Sequence, residues 1–236
     1  MAATERALPY RGDLQALVAL GNALLFTTTH PEGKSTALYR LDVDSSELKE
    51  RALPCGGSAL VVDGAQVYLA GTDGHVYKGG LDGALSALGD KLAPPPRALA
   101  LLKGDRLAAL CGAEIAVLGR ADGRVRQRLP LGEEGTLIAS DPSGAWLVAG
   151  TAVGTIVVFD GESRDDLMES ERKKLHEGAV TALCFEPAEL RVLSSGADIK
   201  VLSTHIRGRL EPEDRGGKAA HDAAIRAICY GPGERF

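Results

Sequence analysis

The chain has 236 residues, and its 27 Lys and Arg against 32 Asp and Glu give 27 − 32 = −5 at pH 7, which offers no electrostatic footprint for DNA or RNA. Its four cysteines, Cys55, Cys111, Cys184 and Cys229, are widely spaced in sequence and make neither a zinc knuckle nor a CxxC redox pair. The first residues, MAATERALPYRGD, lack the apolar core of a signal peptide, and the longest apolar stretch, 14–26, is too short and too interrupted to span a bilayer.

A cytoplasmic protein with no membrane segment is therefore expected. Glycine is frequent and evenly spread, which points to many tight turns between short strands. In chain order, short apolar runs come in pairs around such a turn. LQALVAL and ALLFTTT flank Gly21, SALVV and QVYLAGT flank Gly64, and RALALL and RLAALCG flank Gly104. LIAS and AWLVAGT flank Gly144, TALCF and RVLSSG flank Glu189, and a sixth turn begins at Glu234. Each complete pair is followed by a third strand, at 36–42, 75–80, 114–120, 155–160 and 199–204, and weaker fourth strands fit 83–88 and 124–131. Asp73-Gly74 and Val153-Gly154 suit tight hairpin turns. Residues 163–175, SRDDLMESERKKL, read either as a helix capped by Ser163 or as a solvated loop. Pro94, Pro95 and Pro96 stiffen one link. Long helices are excluded elsewhere, because the recurring glycines would break them.

The clearest repeat is HEGAVTALCFEP at 176–187, which returns 45 residues later as HDAAIRAICYGP at 221–232. His176 matches His221, Val180 matches Ile225, Ala182 matches Ala227 and Pro187 matches Pro232. Cys184 and Cys229 share a place between apolar neighbours and read as small buried hydrophobes. Four short antiparallel strands every 40–45 residues or so are the signature of a β-propeller blade. The expected fold is all-β: one β-propeller domain of four-stranded antiparallel blades at about 14–56, 57–96, 97–134, 135–178 and 179–223. A sixth blade starts at about 224–236. An open ring would leave two bare faces, so the polypeptide is expected to continue beyond Phe236.

From about residue 135 onward the motif resembles the WD-repeat β-propeller family. Leu175-His176 takes the place of that family's Gly-His, and Phe185-Glu186-Pro187 the strand end. The stretch 193–198, LSSGAD, matches its Ser-to-Asp segment, Leu202 stands at the Trp position and Phe159-Asp160 at the Trp-Asp position. The only tryptophan, Trp146, lies in a second strand, and the first three units carry the motif weakly. The resemblance implies a buried hydrogen-bond network of His176, Ser194 and Asp198 across a blade, which would fix strand register.

The same three residue types also make a catalytic triad, and spacing alone does not separate the two readings. There is no GxSxG elbow, however, and the side chains would lie between sheets. His30, His75 and His205 are isolated and make a poor metal set. No P-loop or dinucleotide fingerprint occurs, so no catalytic residue, metal or cofactor is expected. The leading function is a non-enzymatic scaffold that binds protein partners, with neither nucleic acid nor membrane as a partner. The alternative is a propeller hydrolase or quinoprotein-type dehydrogenase with a site in the central channel. Partner contacts are expected on the long joints 27–35, 161–178 and 203–222, read as a second-to-third turn and two blade-to-blade links. Arg164, His205, Arg207 and Arg209 are the candidates, because arginine is favoured at interface hot spots.

Overall fold

Apolar runs of five to eight residues separated by tight turns bury their surface most simply as antiparallel meanders. The computed structural model describes residues 13–29, 36–163, 165–186, 189–215 and 222–229, and there it shows five such meanders and no helix. Sheet 1 holds β1 (Asp13–Leu20), β2 (Ala23–Thr29), β3 (Thr36–Asp42) and β4 (Leu48–Ala52). Sheet 2 holds β5 (Gly57–Asp63), β6 (Gln66–Gly71), β7 (Val76–Gly80) and β8 (Ser86–Leu88). Sheet 3 holds β9 (Ala98–Leu102), β10 (Arg106–Cys111), β11 (Glu114–Gly119) and β12 (Val125–Pro130). Sheet 4 holds β13 (Gly135–Ser140), β14 (Trp146–Thr151), β15 (Thr155–Asp160) and β16 (Met168–Lys174). Sheet 5 holds β17 (Val180–Phe185), β18 (Arg191–Gly196), β19 (Val201–His205) and β20 (Pro212–Asp214). The turns at Gly21, Gly64, Gly104 and Gly144 all have positive φ, between 55° and 68°, which is why glycine stands at each.

The sheets stack in sequence into a propeller-like array. β1 packs on β5, β5 on β9, β9 on β13 and β13 on β17, so the first strands form its inner side. β17 does not pack on β1 in this way among the described residues. Four apolar clusters fill the successive spaces between sheets, for example Ala108, Leu110, Ile115 and Val117 of sheet 3 against Leu147, Val157 and Phe159 of sheet 4. A fifth cluster, Phe26, Ala37, Tyr39 and Leu41, lies on the other face of sheet 1.

Polar ties repeat with the sheets. A side chain from an outer strand of each sheet donates to a main-chain carbonyl in the third-to-fourth connection of the next. Arg51 donates to Leu81 O, Lys78 Nζ to Arg120 O at 2.8 Å, Gln127 Nε2 to Leu167 O at 2.7 Å and Lys173 Nζ to Leu210 O at 2.6 Å. Gln127 also accepts from Leu167 N–H at 3.0 Å. Such ties satisfy carbonyls that a connection buried against its neighbour would otherwise leave unpaired. Near the start of their first strands, sheets 1, 2, 4 and 5 also share a register shift, at Leu14/Ala16, Gly57/Ala59, Gly135/Leu137 and Val180/Ala182.

The fold departs from the sequence reading in four places. The stretch 163–175 is neither helix nor loop but supplies β16, which pairs with β15 from Thr155↔Lys174 to Asp160↔Met168. A local capping signal lost to the open hydrogen-bonding edge of β15. The short edge strands β4 and β20 were expected as the fourth strands of their blades but not placed, since polar edge strands carry little apolar alternation. Residues 222–229, expected to open a sixth blade, form no strand. Within that segment Cys229 is exposed, whereas Cys111 is buried and Cys55 and Cys184 are half-buried. His30, Arg164, Pro187, His221 and Pro232 lie outside the described residues.

Candidate functional site

The tightest polar cluster stands at the corner where the chain enters sheet 5. His176 precedes β17, Ser194 is inside β18 and Asp198 is in the β18–β19 turn. The structure brings the three together: His176 Nδ1 is 3.0 Å from Asp198 Oδ1, and Nε2 is 2.9 Å from Ser194 Oγ. Asp198 Oδ2 accepts the N–H of Glu177 at 3.1 Å, and Oδ1 accepts that of Lys200 at 3.3 Å. Burial works against ionisation of Asp198, but the hydrogen bonds from His176, Glu177 and Lys200 outweigh it and hold the carboxyl below the usual carboxylate range. The His176 side chain is 0% exposed and that of Asp198 4%, while Ser194 is 0% exposed. Gly196 makes room for the ring: a Cβ there would lie 2.7 Å from its Nδ1.

The same corner recurs with other residues. Gly71 of sheet 2 holds the register position of Gly196, each pairing with the first residue of its first strand. A Cβ at Gly71 would meet Asp73 Oδ1 at 2.5 Å, Cys55 Sγ at 2.8 Å and Tyr77 Cε2 at 2.9 Å. Asp73 accepts the Tyr77 hydroxyl at 2.7 Å and the His75 N–H at 3.1 Å, matching the bond from Lys200 to Asp198. Burial and the bond to Asp73 push the Tyr77 phenol up, and burial pushes the Cys55 thiol up. In sheet 4 Thr151 takes the glycine position; its hydroxyl donates to Glu133 at 3.0 Å and accepts the Thr155 N–H at 3.0 Å. Cys55, Glu133 and His176 thus each enter the corner from the segment before the first strand. The sequence reading missed the first two because neither fits the family motif. A signal was present: 71–76, GTDGHV, and 196–201, GADIKV, share Gly, Asp and Val at the same spacing.

The candidate partner residues stand elsewhere than expected. Stretches 161–178 and 203–222 contain β16 and β20, so they are not simple links between sheets. His205 ends β19, and Arg207 and Arg209 lie in the β19–β20 connection. In a meander that connection shares its end of the sheet with the first-to-second turns, opposite the sheet-to-sheet links. Arg207 stacks 6.0 Å above the Trp146 ring and pairs with Glu162, with its side chain 59% exposed. His205 Nε2 is 4.0 Å from Glu189, and Arg209 is exposed. Among the described residues no three His, Cys, Asp or Glu side chains gather to hold a metal, and no helix is long and apolar enough to cross a membrane.

No family model and no curated protein matches the chain. The crystal structure of the computationally designed Ika8 protein is similar, with a TM-score of 0.69 and 18% identity over 94% of this chain and 67% of that one. At that identity the likeness concerns the fold alone.

Proposed function

We propose that this chain is a WD-repeat-like β-propeller that acts as a non-enzymatic scaffold for protein partners in the cytoplasm. One observation carries the reading: the Ser194–His176–Asp198 constellation, which could be mistaken for a catalytic triad, is sealed between sheets. A nucleophile with no exposed surface reaches no substrate, so the cluster is left with the work of fixing register.

The reading includes a sixth blade, with 224–229 standing beside sheet 5 where its first strand would begin, although these residues form no strand. Ser195 Oγ donates to Ile225 O at 3.3 Å, as Thr27 Oγ1 donates to Gly57 O at 3.1 Å. Thr27 and Ser195 hold the same register position, opposite Ala16 and Ala182 just past the strand irregularity. Ile225 therefore stands to sheet 5 as Gly57, the first residue of β5, stands to sheet 1. The partner surface is the end of the array bearing Arg207, Arg209 and His205, where mixed charge suits a protein better than a polyanion.

Affinity capture with the purified protein tests the proposal. Arg207→Glu with Arg209→Glu should weaken partner capture without lowering the melting temperature. Unchanged capture, or a bound metal or absorbing cofactor in the purified protein, would overturn it.

A further inference from the structure

A serine hydroxyl accepts a phosphoryl group most readily where it is exposed and not already engaged. Three serines beside carboxylates are engaged in this chain. Ser45 Oγ donates to Asp42 Oδ1 at 2.7 Å, Ser143 Oγ donates to Asp141, and Ser170 Oγ donates to Val158 O at 3.3 Å. Ser163, in the β15–β16 connection, differs from them. It is exposed, and its hydroxyl makes no hydrogen bond to the described residues.

The connection presents this hydroxyl on a pinned bend. Glu162 N–H donates to Asp160 Oδ1 at 2.7 Å, and Glu162 O accepts Lys103 Nζ at 2.7 Å. Further on, Asp165 O accepts Arg106 Nη1, and Leu167, 0% exposed, exchanges two bonds with the Gln127 side chain. These bonds use main-chain atoms of the connection. They leave the side chains of Asp165 and Asp166 exposed, with neither an ion pair nor a hydrogen bond among the described residues. Two unpaired carboxylates thus stand two and three residues after a free hydroxyl.

We propose that Ser163 is a phosphorylation site for a serine/threonine kinase with a basic substrate groove. Lys and Arg side chains of such a groove take the Asp165 and Asp166 carboxylates in charge-assisted hydrogen bonds and so seat Ser163 at the active centre. The γ-phosphoryl group of Mg·ATP then passes to Ser163 Oγ. The P–Oγ bond forms, the bond from the γ-phosphorus to the bridging oxygen breaks and releases ADP, and the hydroxyl proton goes to the kinase's catalytic carboxylate. The product carries about two more negative charges one residue from the Glu162–Arg207 pair. The proposal stands on this connection alone and does not depend on the scaffold reading.

The test is phosphate transfer from Mg·ATP to the purified, folded protein by casein kinase II, which is acid-directed, with the base-directed cyclic-AMP-dependent kinase as counterpart. Mass spectrometry of the digested product reads the site. Casein kinase II should place a phosphate on Ser163, and Ser163→Ala should abolish it. Asp165→Asn with Asp166→Asn should slow transfer by about tenfold or more, because the charge-assisted contacts are lost while the main-chain bonds, and with them the melting temperature, stay as they were. No transfer to the folded chain, transfer only after heat unfolding, transfer to Ser45 or Ser170 instead, an equal rate from the base-directed kinase, or insensitivity to the two asparagine changes would each overturn the proposal.

Discussion

Replacing His176 by alanine should be among the most destabilising single changes in the chain. The imidazole bridges Ser194 and Asp198 at 2.9 and 3.0 Å and is 0% exposed. Its loss strands the buried Ser194 hydroxyl, which costs about 1–3 kcal/mol. Asp198 loses one of its three donors, and the vacated ring volume beside Gly196 adds a cavity cost. Together these come to about 3–5 kcal/mol, within the range for breaking a buried network. At about 2–4 °C per kcal/mol for a chain of this size, the melting temperature should fall by at least about 6 °C in calorimetry. His176→Ala and Ser194→Ala combined should cost less than their sum by about 1 kcal/mol or more, because they share one bond. A loss below about 0.5 kcal/mol, the scale of an ordinary surface change, would refute the reasoning. The pH dependence has a definite sign. The Asp198 carboxyl is held below its ordinary value in the folded chain. Its contribution is therefore fully present above the unfolded pKa of about 3.9 and is lost as pH falls through the lower folded value. The stability gap between wild type and Asp198→Asn should hold near neutrality and close below about pH 4.

Two further predictions concern the corners and turns. Gly154→Ala should cost more than 3 kcal/mol or so in urea denaturation, because its φ is 92° and a Cβ would sit 2.0 Å from His176 O. Gly21→Ala, with φ 55° and nothing within 4 Å, should cost only the conformational term of about 1–2 kcal/mol. Equal costs at the two sites would contradict the docking of the link on the β14–β15 turn. Tyr77→Phe should lower stability by about 1 kcal/mol, the worth of its bond to Asp73, and no change would remove sheet 2 from the set of equivalent corners.

The inner three strands of each sheet were legible because they are apolar and glycine-punctuated; β3 and β15 follow the expected 36–42 and 155–160 residue for residue. Fourth strands were harder to read, since β4, β16 and β20 are polar edges defined by the neighbour they pair with. That is why Met168–Lys174 carried a helix signal and still folded as a strand. His176, Ser194 and Asp198 could be singled out from their motif. The corner at Cys55, Asp73 and Tyr77 was missed because different residues fill the same space, although the Gly, Asp and Val spacing shared by 71–76 and 196–201 marks it. Arg207 shows the remaining limit: its stacking on Trp146 depends on how sheets 4 and 5 face each other, which no local pattern encodes.

The central claim, that the sheets turn about one axis as propeller blades do, is open to a direct distance measurement. Asn22, Ala65, Asp105, Ser143 and Glu189 are exposed and mark the first-to-second turns of the five sheets. Spin labels on cysteines at Asn22 and at each of the others in turn, read by double electron–electron resonance, give four distances along the array. A ring predicts increments that shrink with each sheet, so that Asn22–Glu189 is scarcely longer than Asn22–Ser143. Increments that stay equal through Glu189 would mean a straight stack and would contradict the propeller account.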